Sequence, residues 1–543
     1  MRKYVLLGLL AIAALLYAPS LNNGFVEWDD GLLITENWIV QETSFRSIKA
    51  AFTTFDPELY VPLTLLSYQV DHLIAGLEPF VFHAHNLLYH LLNILLLFWI
   101  TIMLTKKRWV ALLTAALFAL HPIHAEAVVW ASSRKDLQSA LFFLLSLGLY
   151  LRYQSTNQTK WYGLSIVSFL LGLLSKVSIV TLPLVLIITD VWNKRPITKQ
   201  SLYEKIPYFL LSSIFGIVAL FGKHGSEENL FEKLLIGCKA ALFYIYKLII
   251  PSNFSVLYPY TKDITLMQFD LLIPLIVVVI ISLSAFLLYK KHEAVSLLWI
   301  FYLLMLIPTF SNFAKGRDIP RDIYFASDRY VYISSIAIIL GVALILYALR
   351  SRFRLIVDSS VVVILIVLSV QTYTQSLVWK DTETLFTYVL DKYPNSHVAH
   401  NNIGSIAYKN GDVLSAIASY KTSLNIRTNY QAYYNLGQLY RKAGDTVNAK
   451  DMYAKAIKSN AHDAAAHLNL GVIYLNARDF EEALASFLRA AQIDPSLSIV
   501  HYNLGLVYEY MGQIDKALES YKEVLKIDPD DAEVKQKVQQ LTK

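Results

Sequence analysis

Cysteine is nearly absent. The one thiol, Cys238, falls inside an apolar run, so the chain can build neither an intramolecular disulfide framework nor a thiolate metal site. Strong charge of one sign is missing as well: a formal net charge of +6 over 543 residues leaves no basic footprint for nucleic acid. The HExxH order that sets two imidazoles and a base around zinc is also lacking. His121 and His124 with Glu126 therefore make only a weak metal motif.

What the chain has in excess is apolar surface. Hydrophobic residues make up 55% of it and the mean hydropathy is +0.43, against roughly 45–50% apolar residues in soluble proteins even with glycine included. The excess is confined to residues 1–375, whereas 376–543 read as an ordinary charged helical domain. A spanning helix needs ~20 mostly apolar residues. Runs centred on 4–20, 85–105, 108–122, 137–153, 161–176, 177–193, 206–222, 270–289, 294–309, 330–349 and 354–373 predict about eleven spans, the first being a span rather than a cleaved signal. Basic clusters at 106–108, 152–160, 194–205, 290–291 and 350–354 all fall on one side if the N-terminus is cytoplasmic. The run 235–250, interrupted by Lys239 and Lys247, is expected to be interfacial or re-entrant. An odd number of crossings then puts the C-terminal domain outside.

From residue 397 the sequence repeats with a period of 33 to 34, marked by Gly404, Gly437, Gly471 and Gly505, by Ala416, Ala449, Ala483 and Ala517, and by Tyr420, Tyr453, Phe487 and Tyr521. This is the tetratricopeptide period, and it predicts about four repeats over 397–543, with 376–396 as a capping half-repeat or linker. The small residues admit close helix approach and the rings fill the space between neighbouring units. Asn402, Asn435, Asn469 and Asn503 share one place in every unit. An amide there can donate to and accept from an extended peptide lying in the concave groove, or it can bond within the scaffold.

Polar residues beside the apolar runs mark a candidate site. Asp29 and Asp30 follow the first span next to Trp28, where a carboxylate pair can serve as a general base for a substrate arriving through lipid, or cap a solvated turn. The stretch His121 to Asp136 brings His121, His124, Glu126, Arg134 and Lys135. Its cationic pair is suited to an anionic head group, or to snorkelling around a helix start. Lys176, Asp328 and Arg329 sit where a charge is costly unless paired or functional.

In this order WDD, YVPLTLLSYQVDH, FHAHNLLYHLLN, LHPIHAEAVVWASSRKDLQSALFFLLSL, LLSKVSIVTLPL and SDRYVYISS, followed by repeats, resemble the transmembrane and tetratricopeptide-repeat O-mannosyltransferase family. These are polyprenyl-phosphate-sugar glycosyltransferases of the GT-C type. The resemblance implies an all-α fold: a polytopic GT-C-like transmembrane bundle over 1–375 and a tetratricopeptide α-solenoid. It implies transfer of a sugar, typically mannose, from a polyprenyl-phosphate donor to Ser or Thr hydroxyls of an acceptor polypeptide held by the repeats, by one inverting displacement on the external side. Asp29 or Asp30 would take the proton, and Arg134, then Lys135, Arg329 and Lys176, would hold the phosphate, with Trp28, His121, His124, Glu126 and Asp328 lining the site. No cofactor beyond the lipid-linked donor is implied, and relatives are not uniform about a divalent metal. The small repeat number points to a prokaryotic cytoplasmic membrane, with the repeats periplasmic; in a eukaryote they would be luminal in the endoplasmic reticulum. Relatives usually carry Arg at the place of Val61 and Glu at the place of Val177, a difference that can be compensated or can alter donor choice. The rival reading is a non-catalytic membrane scaffold whose repeats assemble an envelope or secretion complex.

Overall fold

The computed structural model describes residues 4–55, 59–221, 229–310, 314–315 and 322–542. These residues are helical or irregular but for two two-residue strands, Ala314–Lys315 and Asp322–Ile323. The chain divides into two compact units: Met1–Lys315 with Ile323–Lys392, and Gly316–Asp322 with Tyr393–Lys543.

In the first unit every one of the eleven apolar runs is helical. Five helices are long and apolar enough to cross a membrane: Tyr4–Asn22, Pro79–Thr105, Lys199–Phe221, Phe269–Leu287 and Arg354–Leu377. A sixth is reached if Arg108–Leu120 and Pro122–Val129, bent by 54° at their junction, count together. Eleven is therefore not the number that length and composition support. The shorter apolar helices Thr159–Ser175, Val177–Trp192, Glu293–Thr309 and Ser335–Arg350 fall below the reach that a ~30 Å hydrocarbon layer asks of a helix rising ~1.5 Å per residue. The outward faces of the long helices are what hydrocarbon requires: Ile273, Phe286, Val363 and Val370 are exposed, and helical backbones satisfy their own polar groups. The 235–250 run lies within a 20-residue helix, Leu230–Ile249, whose lysines are engaged: Lys239 pairs with Asp270 at 2.9 Å and buried Lys247 donates to the Asn253 carbonyl at 2.7 Å.

The bend after Leu120 positions the polar residues. Pro122 has no N–H to give, so the helix stops and the chain continues in short turns through Pro122–His124, Ala125–Val129 and Ala131–Ser133 before Arg134–Thr156 begins. All of 121–140 is buried. Trp130 stacks on Trp379 with ring centroids 5.4 Å apart, and Phe386, on the helix Thr382–Lys392, lies 6.0 Å from the Trp28 ring. That helix packs within the first unit.

The second unit holds four helix pairs and a last helix, Ala532–Leu541. Each glycine of the repeat faces the aromatic ring of its own unit: a Cβ on Gly404 would come within 2.8 Å of Tyr420, on Gly437 within 2.9 Å of Tyr453, and on Gly471 within 2.6 Å of Phe487. The rings also reach the following unit, since Tyr420 shares a core with Ala432 and Leu436. Gly411 and Gly444 take φ of 82° and 79°, and the next residues, Asp412 and Asp445, cap the second helices by accepting from the backbone N–H of Ser415 and Asn448.

Candidate functional site

The two adjacent carboxylates behave differently. Asp30 is buried, at 1% exposure, and accepts from the Val26 N–H at 2.8 Å, the Ser132 N–H at 3.0 Å and the Ser132 hydroxyl. Burial pushes its carboxyl up to about 6 even though these three donors pull the other way. Asp29 keeps 38% of its side chain exposed and stands 3.8 Å from the Lys135 ammonium. Of the pair, Asp29 is the one that a substrate can reach.

Lys135 is 3% exposed and donates to the Ser132 carbonyl at 2.9 Å. Burial lowers its pKa to about 8, with Lys176 and Arg329 adding to the effect and Asp29 and Asp136 opposing it. Lys176 pairs with Asp136 at 2.5 Å, and Arg329 with Glu126. Glu126 also accepts from the Asp328 N–H at 2.9 Å. The Trp130 ring lies between two of the cations, 5.5 Å from the Lys135 ammonium and 4.8 Å from the Arg329 guanidinium, and the Tyr330 ring is 5.4 Å from Lys176 and 4.8 Å from Arg329. Asp328 accepts from the Tyr258 hydroxyl at 3.0 Å, and burial and Glu126 raise its pKa. Four segments far apart in sequence thus bring three cations and a reachable carboxylate to one place, with two polar atoms there, Arg329 Nε and Asp136 Oδ2, buried without a hydrogen bond.

Arg134 pairs with a different acid. Its guanidinium, fully buried, pairs with Asp71 at 2.5 Å, donates to Asn86 Oδ1 at 3.0 Å and to the Phe82 carbonyl at 2.9 Å, and lies 4.5 Å from the Tyr68 ring. Every direction is taken, which removes it from the leading place its sequence position suggests. His121 and His124 are committed too: Nε2 of His121 meets the Leu248 carbonyl at 3.1 Å, while His124 donates from Nδ1 to the Phe118 carbonyl at 2.8 Å and meets Ser335 at 3.0 Å. Trp28 packs on Phe386 at the edge of the cluster.

Asp136, Ser132 and Tyr330 stand in the same cluster without having been among the candidate site residues. Only Asp136 left a signal in the sequence, because a lysine at position 176 next to apolar runs calls for an acid. Val61 and Val177 flank one seam: Thr64 donates to the Ser175 carbonyl at 3.1 Å and to Gln138 at 3.0 Å.

In the second unit, Asn402 and Asn503 donate to carbonyls four residues back, Val398 at 2.9 Å and Ile499 at 2.8 Å. Asn469 does the same to Ala465 at 2.9 Å and also meets the Tyr434 hydroxyl at 3.2 Å, and Asn435 bonds Asn401 at 3.2 Å. Each of the four thus uses at least one amide N–H inside the scaffold. Asn503 is buried and the other three are half-buried.

Models of the tetratricopeptide repeat match residues 434–498 and 498–531. The chain is 34% identical over 153 residues to Protein O-mannosyl-transferase TMTC1 of Mus musculus, covering 26% of this chain and 16% of that protein. Tmtc1 of Drosophila melanogaster is 29% identical over 193 residues, 34% of this chain and 22% of the relative, and human TMTC2 is 32% identical over 157 residues, 27% and 18%. The chain thus covers less than a quarter of the length of these relatives. Among solved structures, a crystal structure of MamA is 25% identical over 28% of this chain and 90% of its own, with a TM-score of 0.26. The chain carries tetratricopeptide repeats and is similar over part of its length to the protein O-mannosyl-transferases TMTC1 and TMTC2.

Proposed function

We propose that the chain is a membrane glycosyltransferase that moves a sugar, with mannose the first candidate, from a polyprenyl phosphate to Ser or Thr hydroxyls of a polypeptide presented by the repeats. The observation that carries this reading is the half-open Asp29 3.8 Å from the buried Lys135 ammonium, with Lys176 and Arg329 acting on the same lysine. Asp29 takes the hydroxyl proton as the acceptor oxygen forms its bond to the anomeric carbon. The bond from that carbon to the phosphate oxygen breaks on the opposite face, so configuration inverts. The electron pair leaves with the phosphate, whose charge Lys135, Lys176 and Arg329 hold in a site of low dielectric. Asp30 positions its neighbour by fixing the loop to Ser132, and Arg134 fixes the start of its helix to Asp71. An external reaction and external repeats require a cytoplasmic N-terminus and an odd number of crossings, a condition that the five long apolar helices meet.

Reconstitution of the full chain with a synthetic polyprenyl-phosphate mannose and a Ser/Thr peptide, with product read by mass spectrometry, tests the assignment. Removing a general base costs roughly 10²–10⁴-fold in rate, and Asp29→Asn is expected to lose that much while the circular dichroism spectrum stays unchanged. Transfer at the wild-type rate by Asp29→Asn would overturn the assignment of the base. Absence of transfer by the wild type with every polyprenyl-phosphate sugar would favour the scaffold reading.

A further inference from the structure

An apolar cavity lies apart from the charged cluster, and what it binds does not depend on the transferase reading. The helices Tyr4–Asn22, Arg108–Leu120 and Arg354–Leu377 enclose a cavity of about 800 Å³ whose lining includes Gly8, Ile12, Trp109, Ala116 and Ile366. None of the cations or carboxylates of the transfer site lines it. It is open sideways where hydrocarbon would be, with Ile12 49% and Ile366 58% exposed. One end, at Trp109, adjoins a concentration of positive charge: Lys106, Lys107, Arg108, Arg352 and Arg354 are all exposed, and Arg350 lies over the Trp109 ring at 5.2 Å. Asp358 pairs with two of these arginines, 2.6 Å from Arg350 and 3.7 Å from Arg354. Arg354 precedes Val361, a lining residue, by seven positions on the same helix, or about 10 Å of rise.

We propose that this groove holds an acyl chain of an anionic phospholipid whose phosphate rests on the cations at the Trp109 end. An apolar chain joined to a negative head is the ligand class that satisfies both parts at once. A soluble anion would leave the groove unused, and a zwitterionic lipid would bring no net negative charge to the cationic end.

The full chain, purified and exposed to equal amounts of palmitoyl-oleoyl phosphatidylglycerol and phosphatidylcholine, would be examined by native mass spectrometry. Phosphatidylglycerol is expected to be retained in preference, and Arg352→Gln with Arg354→Gln to lower its retention about fivefold for each cation removed while phosphatidylcholine retention stays level. Gly8 lines the groove and a Cβ there meets nothing within 4 Å, so Gly8→Phe should occupy part of the groove and reduce retention of the anionic lipid with the cations intact. Equal retention of the two lipids by the wild type, or no response to either change, would overturn the proposal. Displacement of phosphatidylglycerol by an equimolar polyprenyl phosphate would overturn it as well, by assigning the groove to the sugar donor.

Discussion

At the scale of single residues, environment decides which charged groups can act. Asp29 and Asp30 are indistinguishable by sequence, and so are Arg134 and Lys135. Only packing separates a carboxylate held by three donors from one open to substrate, or a guanidinium locked on Asp71 from an ammonium beside Asp29. The gathering of polar residues was legible; their ranking was not, because it depends on which partners arrive from helices tens of residues away. Lys135 yields a pH prediction. Its pKa is lowered to about 8 by burial, so the cation is lost as pH rises through that value. Transfer rate should fall on the alkaline side of about pH 8, and Lys135→Arg, which stays protonated, should move that limb to higher pH. A rate profile measured from pH 6 to 10 decides it, and an unchanged limb in the arginine variant would assign the titration elsewhere.

At the scale of elements, the repeats were the most legible part of the chain, since a period of 33 to 34 fixes every turn. The third unit departs from its siblings in one respect: where the others place Gly411, Gly444 and Gly512 at positive φ, it places Arg478, at φ 60°. A side chain in that conformation costs roughly 1–2 kcal/mol, offset in part by the freedom glycine gains in the unfolded chain. Arg478→Gly should therefore stabilise the repeats by about 0.5–1 kcal/mol, read as a shift in denaturant midpoint at constant slope. A second prediction belongs to the seam between the start of Pro62–Ala75 and the end of Thr159–Ser175. Val61 is 3% exposed, so Val61→Arg alone buries a charge and should lose about 3–5 kcal/mol. Joined with Val177→Glu it should recover roughly 1–3 kcal/mol as a coupling energy in a double-mutant cycle. Additive effects would show that the two positions do not compensate.

At the scale of the whole molecule, eleven apolar runs in the sequence correspond to five or six helices long and apolar enough to cross a membrane among the described residues. Apolar runs say that a segment avoids water, but not whether lipid or protein surrounds it. The helix Ser335–Arg350 shows both situations: Ile336, Ile339 and Leu340 are buried against neighbours, while Ile345 and Leu349 are exposed. The repeats have cores of their own, including Ala483, Phe487, Val500 and Leu504, so residues 393–543 expressed alone should give a soluble helical protein with a single cooperative thermal transition. Aggregation or a broad transition followed by circular dichroism would show that the membrane unit is needed for their fold. One further consequence concerns how distant stretches are fastened. With a single thiol in the chain, the tying of residue 26 to 132 through Asp30, and of His85 to Arg134 through Asp71, falls to carboxylates. Such fastenings need no oxidant to form and no reductant can cut them, so these stretches hold together equally well on either side of a membrane that separates reducing from oxidising compartments.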